Sequence, residues 1–559
     1  MDVYAKDNNI EDRRIRGGFF AIYRHRYRTS NAHEVGALKM AITHLMETVW
    51  KSKNRNFKSL GTDITCDVAV IGGGMAGLWC AYHLVRAGKK VCVLEAKSIG
   101  SGVTSGSTAI LTYAQDIIYK PLIKKHGKEV AREYLKDSVQ AISEIKKLIE
   151  TEKIECDLEP IKFILFSAKR KGKRALVKEQ EAYKKLNKTI SRIDPGLPYK
   201  TRCALEFNDC YQFDPLKLCD WLSDYVTRNG GTVYENTLVA DAPDGTRLKV
   251  GGQTVTAESF IVATHFPFIN VPGFYWLKMY QEQNYAIAFK GGDKNFAKGI
   301  SYESIDKTGY EYRRVGENIL VDGVSVRTGK KPYKSKYRIL EAHIAKYFGK
   351  VEETARFSAQ DCITLDKLPY AGKYSHFADN VFVVTGFNKW GMTNSYITAK
   401  VASDMVLGKK NIDSRQNIYS PQRVALFINP VETITHVGEV VAAFANDLLN
   451  VDAKKFDRIG PGQGAIIKYK GHRVGASRDD KGKVHLVSGI CPHMGCSLKW
   501  NKDDRSFDCP CHGSRFDTKG GIINGPATKS CSVLAKKIAS SCDTCPKRDS
   551  CDSRSAEVS

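Results

Sequence analysis

At 559 residues the chain exceeds what one hydrophobic core supports, so more than one domain is expected. Its 42% hydrophobic and 26% charged content is ordinary globular composition, and no uninterrupted apolar run approaches the ~20 residues that span a bilayer. Lys and Arg exceed Asp and Glu by 25, but the excess is scattered without a block or a recognisable nucleic-acid module, which reads as a solvated basic surface and not as a nucleic-acid partner.

Residues 1–60 are expected to form a basic, disordered extension. Charges interrupt every apolar stretch of RRIRGGFFAIYRHRYR, so no secretory h-region forms. The expected compartment is the cytoplasm, with association to a membrane surface left open. Met46 is a candidate start, which would make residues 1–45 an extension before it.

Residues 66–100 read strand, glycine turn, helix, strand: CDVAVIGGG, MAGLWCAYHLVRAGKK, VCVLEAKSIG. Gly72, Gly74 and Gly77 form GxGxxG directly after an apolar strand and before a helix, and Glu95 with Ala96 ends the next strand. Such a turn lets backbone approach a pyrophosphate, the helix N-terminus opening at Met75 and Ala76 favours its charge, and Glu95 can accept from ribose hydroxyls. NAD and FAD satisfy this fingerprint equally.

A long amphipathic helix is expected over 127–150, where Val130, Tyr134, Ser138, Ala141, Ile142, Ile145 and Ile149 recur at helical spacing. From about 155 to 375, β-like runs such as GTVYENTLVA, SFIVATHF and NYAIAFK alternate with charged helices such as KSKYRILEAHIAKYF, which suits an α+β substrate domain. NVFVVTGFNKWGMTNSYITAKVASDMVLGKK then returns to strand, turn and helix, so the first domain is completed by distant sequence. Its parts are expected at about 61–160, 205–270 and 360–410.

The continuation VLEAKSIGSGVTSGSTAILTY, with FDP at 213–215 and TGFNKWGM at 385–392, resembles the D-amino-acid oxidase-like FAD-dependent oxidoreductases over about residues 60–410. The resemblance selects FAD. It implies that Ser105, Gly106, Ser107 and Thr108 lie along the flavin, that Val239 meets the adenine, and that Gly386 and Met392 approach the isoalloxazine. TGFNKWGM departs from the family's GFSGHGM-like wording, so covalent attachment of the flavin stays open. Relatives that oxidise amino acids hold the substrate carboxylate with an arginine, and Tyr312 with Arg313 in GYEYRRVGENIL are candidates; a surface strand with a solvated arginine is the equal alternative. His265 in VATHFPF is read as structural before it is read as a base.

Residues 411–455, containing HVGEVVAAFANDLLNV, are expected to connect to a different module at 456–540, where short strands are broken by Gly, Asp and Lys turns. There CPHMGC and CPCHGSRFD place Cys491, His493, Cys509 and His512 as Cys-x-His, fifteen residues, Cys-x-x-His. Two thiolates and two imidazoles suit either zinc or an iron–sulfur cluster.

The stretch CPHMGCSLKWN…FDCPCHGSRFDTKGGIINGPA resembles the Rieske family, which decides for a [2Fe–2S] cluster. The resemblance implies a disulfide between Cys496 and Cys511, a lid loop of Gly525, Pro526 and Ala527, and a sulfur-directed hydroxyl at Ser514. Phe516 stands where quinol-oxidising members have a tyrosine. A disulfide is unusual in the cytoplasm, so shielding of this one is expected. The tail, residues 541–559, carries Cys542, Cys545 and Cys551, which with Cys531 read as loose thiols before a further metal site.

The fold class is therefore α/β plus all-β: a Rossmann-like FAD-binding domain interleaved with an α+β substrate domain, then a small antiparallel β Rieske domain. The expected function is oxidation of an amine, amino acid or related small-molecule donor, with electrons passing through the cluster to an external acceptor, protein or quinone. The alternatives are a non-catalytic electron carrier or redox sensor and, least of all, a Rieske oxygenase, which needs a large iron-binding domain after the cluster where only about 45 residues follow His512.

Overall fold

The strands Ile64–Ile71 and Val91–Leu94 pair in parallel, from Val68 opposite Val91 to Ile71 opposite Leu94, with the helix Met75–Arg86 between them in sequence. All four residues of Val91–Leu94 are buried, which explains its continuous apolar wording. The computed structural model describes residues 48–533, apart from 52, 54–55, 294, 308, 331–334, 410–412, 424–429, 450–458 and 470. Most of the basic N-terminal extension, and with it Met46, lies outside the described residues, as do Cys542, Cys545 and Cys551.

Distant segments complete the parallel sheet. Thr232–Tyr234 joins beside Val91–Leu94, Gln253–Val262 beside Ile64–Ile71, then Ala378–Thr385 and its antiparallel neighbour Tyr370–Ser375. The helices Met75–Arg86 and Gly391–Val406 pack on each other, with the fully buried Trp79 edge-on to Tyr396 at 4.9 Å.

A second, nine-stranded sheet runs in the order Glu352–Thr364, Met279–Lys290, Asn318–Arg327, Tyr310–Val315, Ile300–Ser304, Glu159–Ser167, Cys203–Gln212, Ile110–Leu111, with Ser191–Arg192 beside Cys203–Gln212. Two expected boundaries shift. Cys203–Gln212 falls inside the 205–270 piece expected for the dinucleotide domain but pairs antiparallel with Glu159–Ser167, so the chain re-enters the first sheet only at Thr232. Glu352–Thr364 likewise pairs with Met279–Lys290, and the return comes at Tyr370 and not at about 360.

One side of this sheet packs Tyr285, Ile287, Tyr312 and Val321 against Tyr337, Leu340 and Ile344 of the helix Lys336–Phe348. The other side turns to the dinucleotide domain, where Phe163 meets Trp390 at 5.8 Å and Leu165, Leu205 and Phe207 enter its core. The expected long helix is Lys128–Thr151, burying Tyr134, Ser138, Ala141, Ile142, Ile145 and Ile149, with Val130 only half-buried.

The helix Pro430–Leu449 leads to the C-terminal module. Gly464–Tyr469, His472–Arg478 and Val484–Ser488 form one antiparallel sheet; Lys499–Asn501, Ser506–Asp508, Arg515–Phe516 and Ile522–Asn524 form another. No helix among the described residues is long and apolar enough to cross a membrane.

Candidate functional site: two cofactor pockets and the contact between them

In the C-terminal module, Cys491 and His493 lie on the loop after Val484–Ser488, and Cys509 and His512 on the connection between Ser506–Asp508 and Arg515–Phe516. The two loops repeat one geometry. The Gly495 N–H donates to the Cys491 carbonyl and the Gly513 N–H to the Cys509 carbonyl, each at 3.0 Å, and both glycines sit at positive φ, +83° and +82°, where a side chain would be strained. Cys496 and Cys511 are joined as a disulfide across the loops, with Cα atoms 6.6 Å apart. Both are buried, which answers the expected shielding.

The four candidate ligands come together. The His493 and His512 rings stand 5.1 Å apart at 82°, and the Cys491 and Cys509 thiols hydrogen-bond to each other, which lowers the pKa of Cys491 and raises that of Cys509. The Sγ of Cys509 also lies within 4.8 Å of both disulfide sulfurs, but those carry no thiolate charge and serve as neighbours, not ligands. Both histidine Nδ1 atoms are buried with no partner. Burial holds both rings neutral, His493 down at about 4 and His512 well below its ordinary value. Two bare imidazole lone pairs beside two buried thiols fit a two-Cys, two-His cluster.

Ser514 sits against the Cys491 sulfur and accepts from the Ala527 N–H at 3.0 Å, tying the lid loop to the cluster loop. Phe516 is fully buried in the core with Cys491 and Cys509. Cys531 is buried in that core too, its thiol pushed up to about 12 by burial, and its expected companions lie outside the described residues.

The dinucleotide pocket is built on close approach. A Cβ on Gly77 would meet the Gly72 carbonyl oxygen at 1.9 Å, and one on Gly72 the Ala263 oxygen at 2.6 Å. A Cβ at Gly74 would find only the Thr104 hydroxyl, at 3.3 Å, so the turn stays open on that side. Gly74 gives the helix Met75–Arg86 no side-chain cap; the Met75 N–H donates to the Thr104 hydroxyl at 3.2 Å, and the Ala76 and Gly77 amides are left for an anion. Glu95 accepts from the Gly73 and Lys97 N–H groups at 2.7 and 2.8 Å, and the Thr237 N–H donates to its carbonyl, drawing the buried Val239 segment alongside. These observations fit FAD at the fingerprint of Gly72, Gly74, Met75, Ala76, Gly77, Glu95 and Ala96.

Ser105, Gly106, Ser107 and Thr108 lie in the turn facing the second sheet: a Cβ on Gly106 would sit 3.1 Å from that of Ala359, and the Trp50 indole donates to the Ser107 carbonyl at 2.8 Å. Gly386 has a φ of +74° and Met392 is buried at the start of the helix Gly391–Val406. Tyr312 and Arg313 part company, since neighbours on a strand face opposite ways. Tyr312 points to His343 and the helix side, with its hydroxyl 2.6 Å from Nε2, and so does not contribute to a site shared with Arg313. Arg313 turns inward, donating to Gln212 at 3.1 Å over the Trp50 ring, with its Nη1 unpartnered; it is no solvated surface arginine. His265, held neutral at about 4 by burial, is in hydrogen-bonding contact with the Gln360 backbone and fits the structural reading.

The cluster loops sit on the second sheet through residues the sequence did not single out. Gln281 donates to the His512 carbonyl at 2.7 Å and the Gly525 carbonyl at 3.2 Å, Gln360 to the Gly513 carbonyl at 2.9 Å, Asn270 lies 2.5 Å from His493 Nε2, and Trp276 is edge-on to His512 at 5.7 Å. The available signal was polar side chains at inward positions of MYQEQNYAIAFK, where an ordinary core strand is apolar.

Comparison with known proteins identifies both domains. Residues 67–405 match the FAD dependent oxidoreductase family and residues 450–539 the Rieske [2Fe-2S] domain. The Rieske 2Fe-2S iron-sulfur protein YhfW of Bacillus subtilis is 34% identical over 494 residues, 86% of this chain and 96% of its own. Gamma-glutamylputrescine oxidoreductase of Escherichia coli is 25% identical over 385 residues, 64% of this chain and 87% of its own. Glycine oxidase from Geobacillus kaustophilus shares the fold, with a TM-score of 0.54 over 64% of this chain and 99% of its own at 19% identity.

Proposed function

The chain belongs to the FAD dependent oxidoreductase family and carries a C-terminal Rieske [2Fe-2S] domain, and from that premise we propose that it oxidises an amine, amino acid or related small molecule and delivers the electrons through the cluster to an external acceptor. FAD supplies two-electron oxidation of a C–H donor and the cluster one-electron relay.

The chain's own residues divide the work. Gly72, Gly74, Gly77 and the open helix end would hold the pyrophosphate; Glu95 would orient the ribose; Val239 would cover the adenine; Ser105 to Thr108, Gly386 and Met392 would line the ring. Cys491, His493, Cys509 and His512 hold the cluster, the Cys496–Cys511 disulfide clamps the two ligand loops, and Ser514 donates toward sulfur. Two relatives, gamma-glutamylputrescine oxidoreductase and glycine oxidase, are named for amino-group donors, which supports the substrate range.

The observation that carries the relay is the seating of the cluster loops on the oxidoreductase sheet by Gln281, Gln360 and Asn270. Anaerobic mixing with a panel of amines and amino acids tests it, read together by flavin absorbance and by the paramagnetic signal of the reduced cluster. Flavin bleaching followed by cluster reduction is expected; bleaching with a cluster that stays oxidised would sink the relay, and failure of every donor would favour a carrier or sensor.

A further inference from the structure

On the side of the second sheet that faces the dinucleotide domain, three carboxylates stand in one row across three strands. Glu311 pairs directly with Asp322, and the pairing of Tyr302 with Tyr312 sets Glu303 opposite Glu311. Their strand neighbours Tyr302, Tyr312 and Val321 point to the helix side, so the acids point the other way. Glu303 is 8% exposed and Asp322 5%. Asp322 shares a hydrogen bond with Glu311, while like charges directly opposite on a sheet destabilise it and a buried carboxylate without a partner, as Glu303 is, does so more strongly. Folding alone gives no reason for this row.

Two cations bear on it, Lys389 and Arg313. Lys389, from TGFNKWGM, donates to the Ser325 hydroxyl at 2.7 Å, lies 3.8 Å from Glu282, and senses Glu311, Asp116 and Asp361. Arg313, on the same side, is held by Gln212, Phe213 and the Trp50 ring, has its Nη1 unpartnered and lies in the field of Asp322. One lysine and one arginine cannot neutralise that many carboxylates. An independent observation points to a missing occupant: the Glu303 carboxylate, nine-tenths buried, has no hydrogen bond or ion pair to any described residue. A metal is not that occupant, since among the described residues no three of these acids come within ligating reach of one another.

We propose that the Glu303, Glu311 and Asp322 row, with Lys389 at its edge, is the substrate pocket for a multiply cationic amine, a di- or polyamine whose protonated nitrogens take the charge that Lys389 and Arg313 leave uncompensated. This rests on the oxidoreductase reading and narrows its substrate class: the row repels the carboxylate of a simple amino acid. The location supports it, because Lys389 belongs to the loop assigned to the flavin ring and Gly106 packs on Ala359 of the same sheet side.

The test uses the flavin-loaded protein, titrated anaerobically with putrescine, spermidine, glycine and proline, with binding followed by calorimetry. Putrescine or spermidine should bind more tightly than either amino acid. Glu311→Gln, Asp322→Asn and the near-isosteric Glu303→Gln should each weaken amine binding by roughly tenfold or more and raise the melting temperature, since they relieve like-charge repulsion. A merely structural row would raise the melting temperature and leave binding unchanged. Unchanged amine binding in all three variants, or amino acids binding more tightly than diamines, overturns the pocket. Row-dependent amine binding without any flavin bleaching would keep the pocket and remove the oxidation reading; bleaching by amino acids at equal rates in parent and variants would do the reverse.

Discussion

Phe516, buried in the core with Cys491 and Cys509, carries a prediction about how readily the cluster takes an electron. A hydroxyl donating to a cluster sulfur stabilises the reduced, more negative state, and one aromatic donor is absent where Phe516 fills the core beside Cys491. Phe516→Tyr should raise the midpoint by roughly 60 mV for a donor that favours the reduced state by about 1.4 kcal/mol. Ser514→Ala, which removes the hydroxyl already there, should lower it by a similar amount. Redox titration of the two variants checks both signs, and equal midpoints would remove the sulfur-donor account. Asp361, on the sheet side that carries the acidic row, makes a different prediction. Burial pushes its carboxyl from 3.8 to about 7, so between those values the folded protein holds a proton that the unfolded chain releases. That contribution is full below about pH 4 and is lost as pH rises toward 7, by at most about 4 kcal/mol. Asp361→Asn should flatten the stability curve over that window, as chemical denaturation at several pH values would show.

At the scale of elements, the helix Tyr119–His126 has no cap of its own, and Glu179 from the helix Arg170–Lys185 supplies one. Its carboxylate accepts from the N–H groups of Ile118, Tyr119 and Lys120 at 3.0, 2.6 and 3.0 Å, fully buried. Glu179→Ala strands three donors and should cost about 3 kcal/mol, measurable as a lower denaturant midpoint with an unchanged slope. A cap borrowed across 60 residues marks the limit of what sequence reveals. The strand, turn and helix of residues 66–94 and the spacing of Cys491, His493, Cys509 and His512 were legible because each is a local pattern. The pairing of Cys203–Gln212 with Glu159–Ser167 was not, because sheet partners are chosen by tertiary fit. Nor was the acidic row: Glu303, Glu311 and Asp322 stand apart in sequence, and only the register of three strands sets them side by side, with Glu303 and Asp322 buried and Glu311 half-buried.

Among the described residues the C-terminal module is held at several places, including Lys97, which donates to the Ile523 carbonyl at 3.1 Å. Away from the cluster, Asp503 accepts from Ser335 at 2.5 Å and from the Lys336 N–H at 2.9 Å, while Asp504 receives Ser358 at 2.7 Å along with Gln283 and the buried Arg515. At the cluster, the contacts include the amides of Gln281 and Gln360, beside Asn270 and Trp276. These two glutamines are poor choices for stability alone, since each donates through Nε2 but leaves its Oε1 buried without a partner. Replacing both with leucine removes two unmet acceptors and leaves the His512, Gly525 and Gly513 carbonyls without these donors, so stability should fall by about 1–3 kcal/mol per site. What the leucines lose is the placement of the His512 and Gly513 carbonyls, and with it the register of the cluster against the oxidoreductase sheet. The Gln281→Leu, Gln360→Leu protein should therefore bleach its flavin with substrate at the parent rate, while cluster reduction falls behind by roughly tenfold, as expected when a group is mispositioned by a fraction of an ångström to an ångström. Rapid anaerobic mixing separates the two signals. Parallel slowing of both would mean that the substitutions disturbed the flavin pocket, and no slowing of either would mean that electrons reach the cluster without this contact.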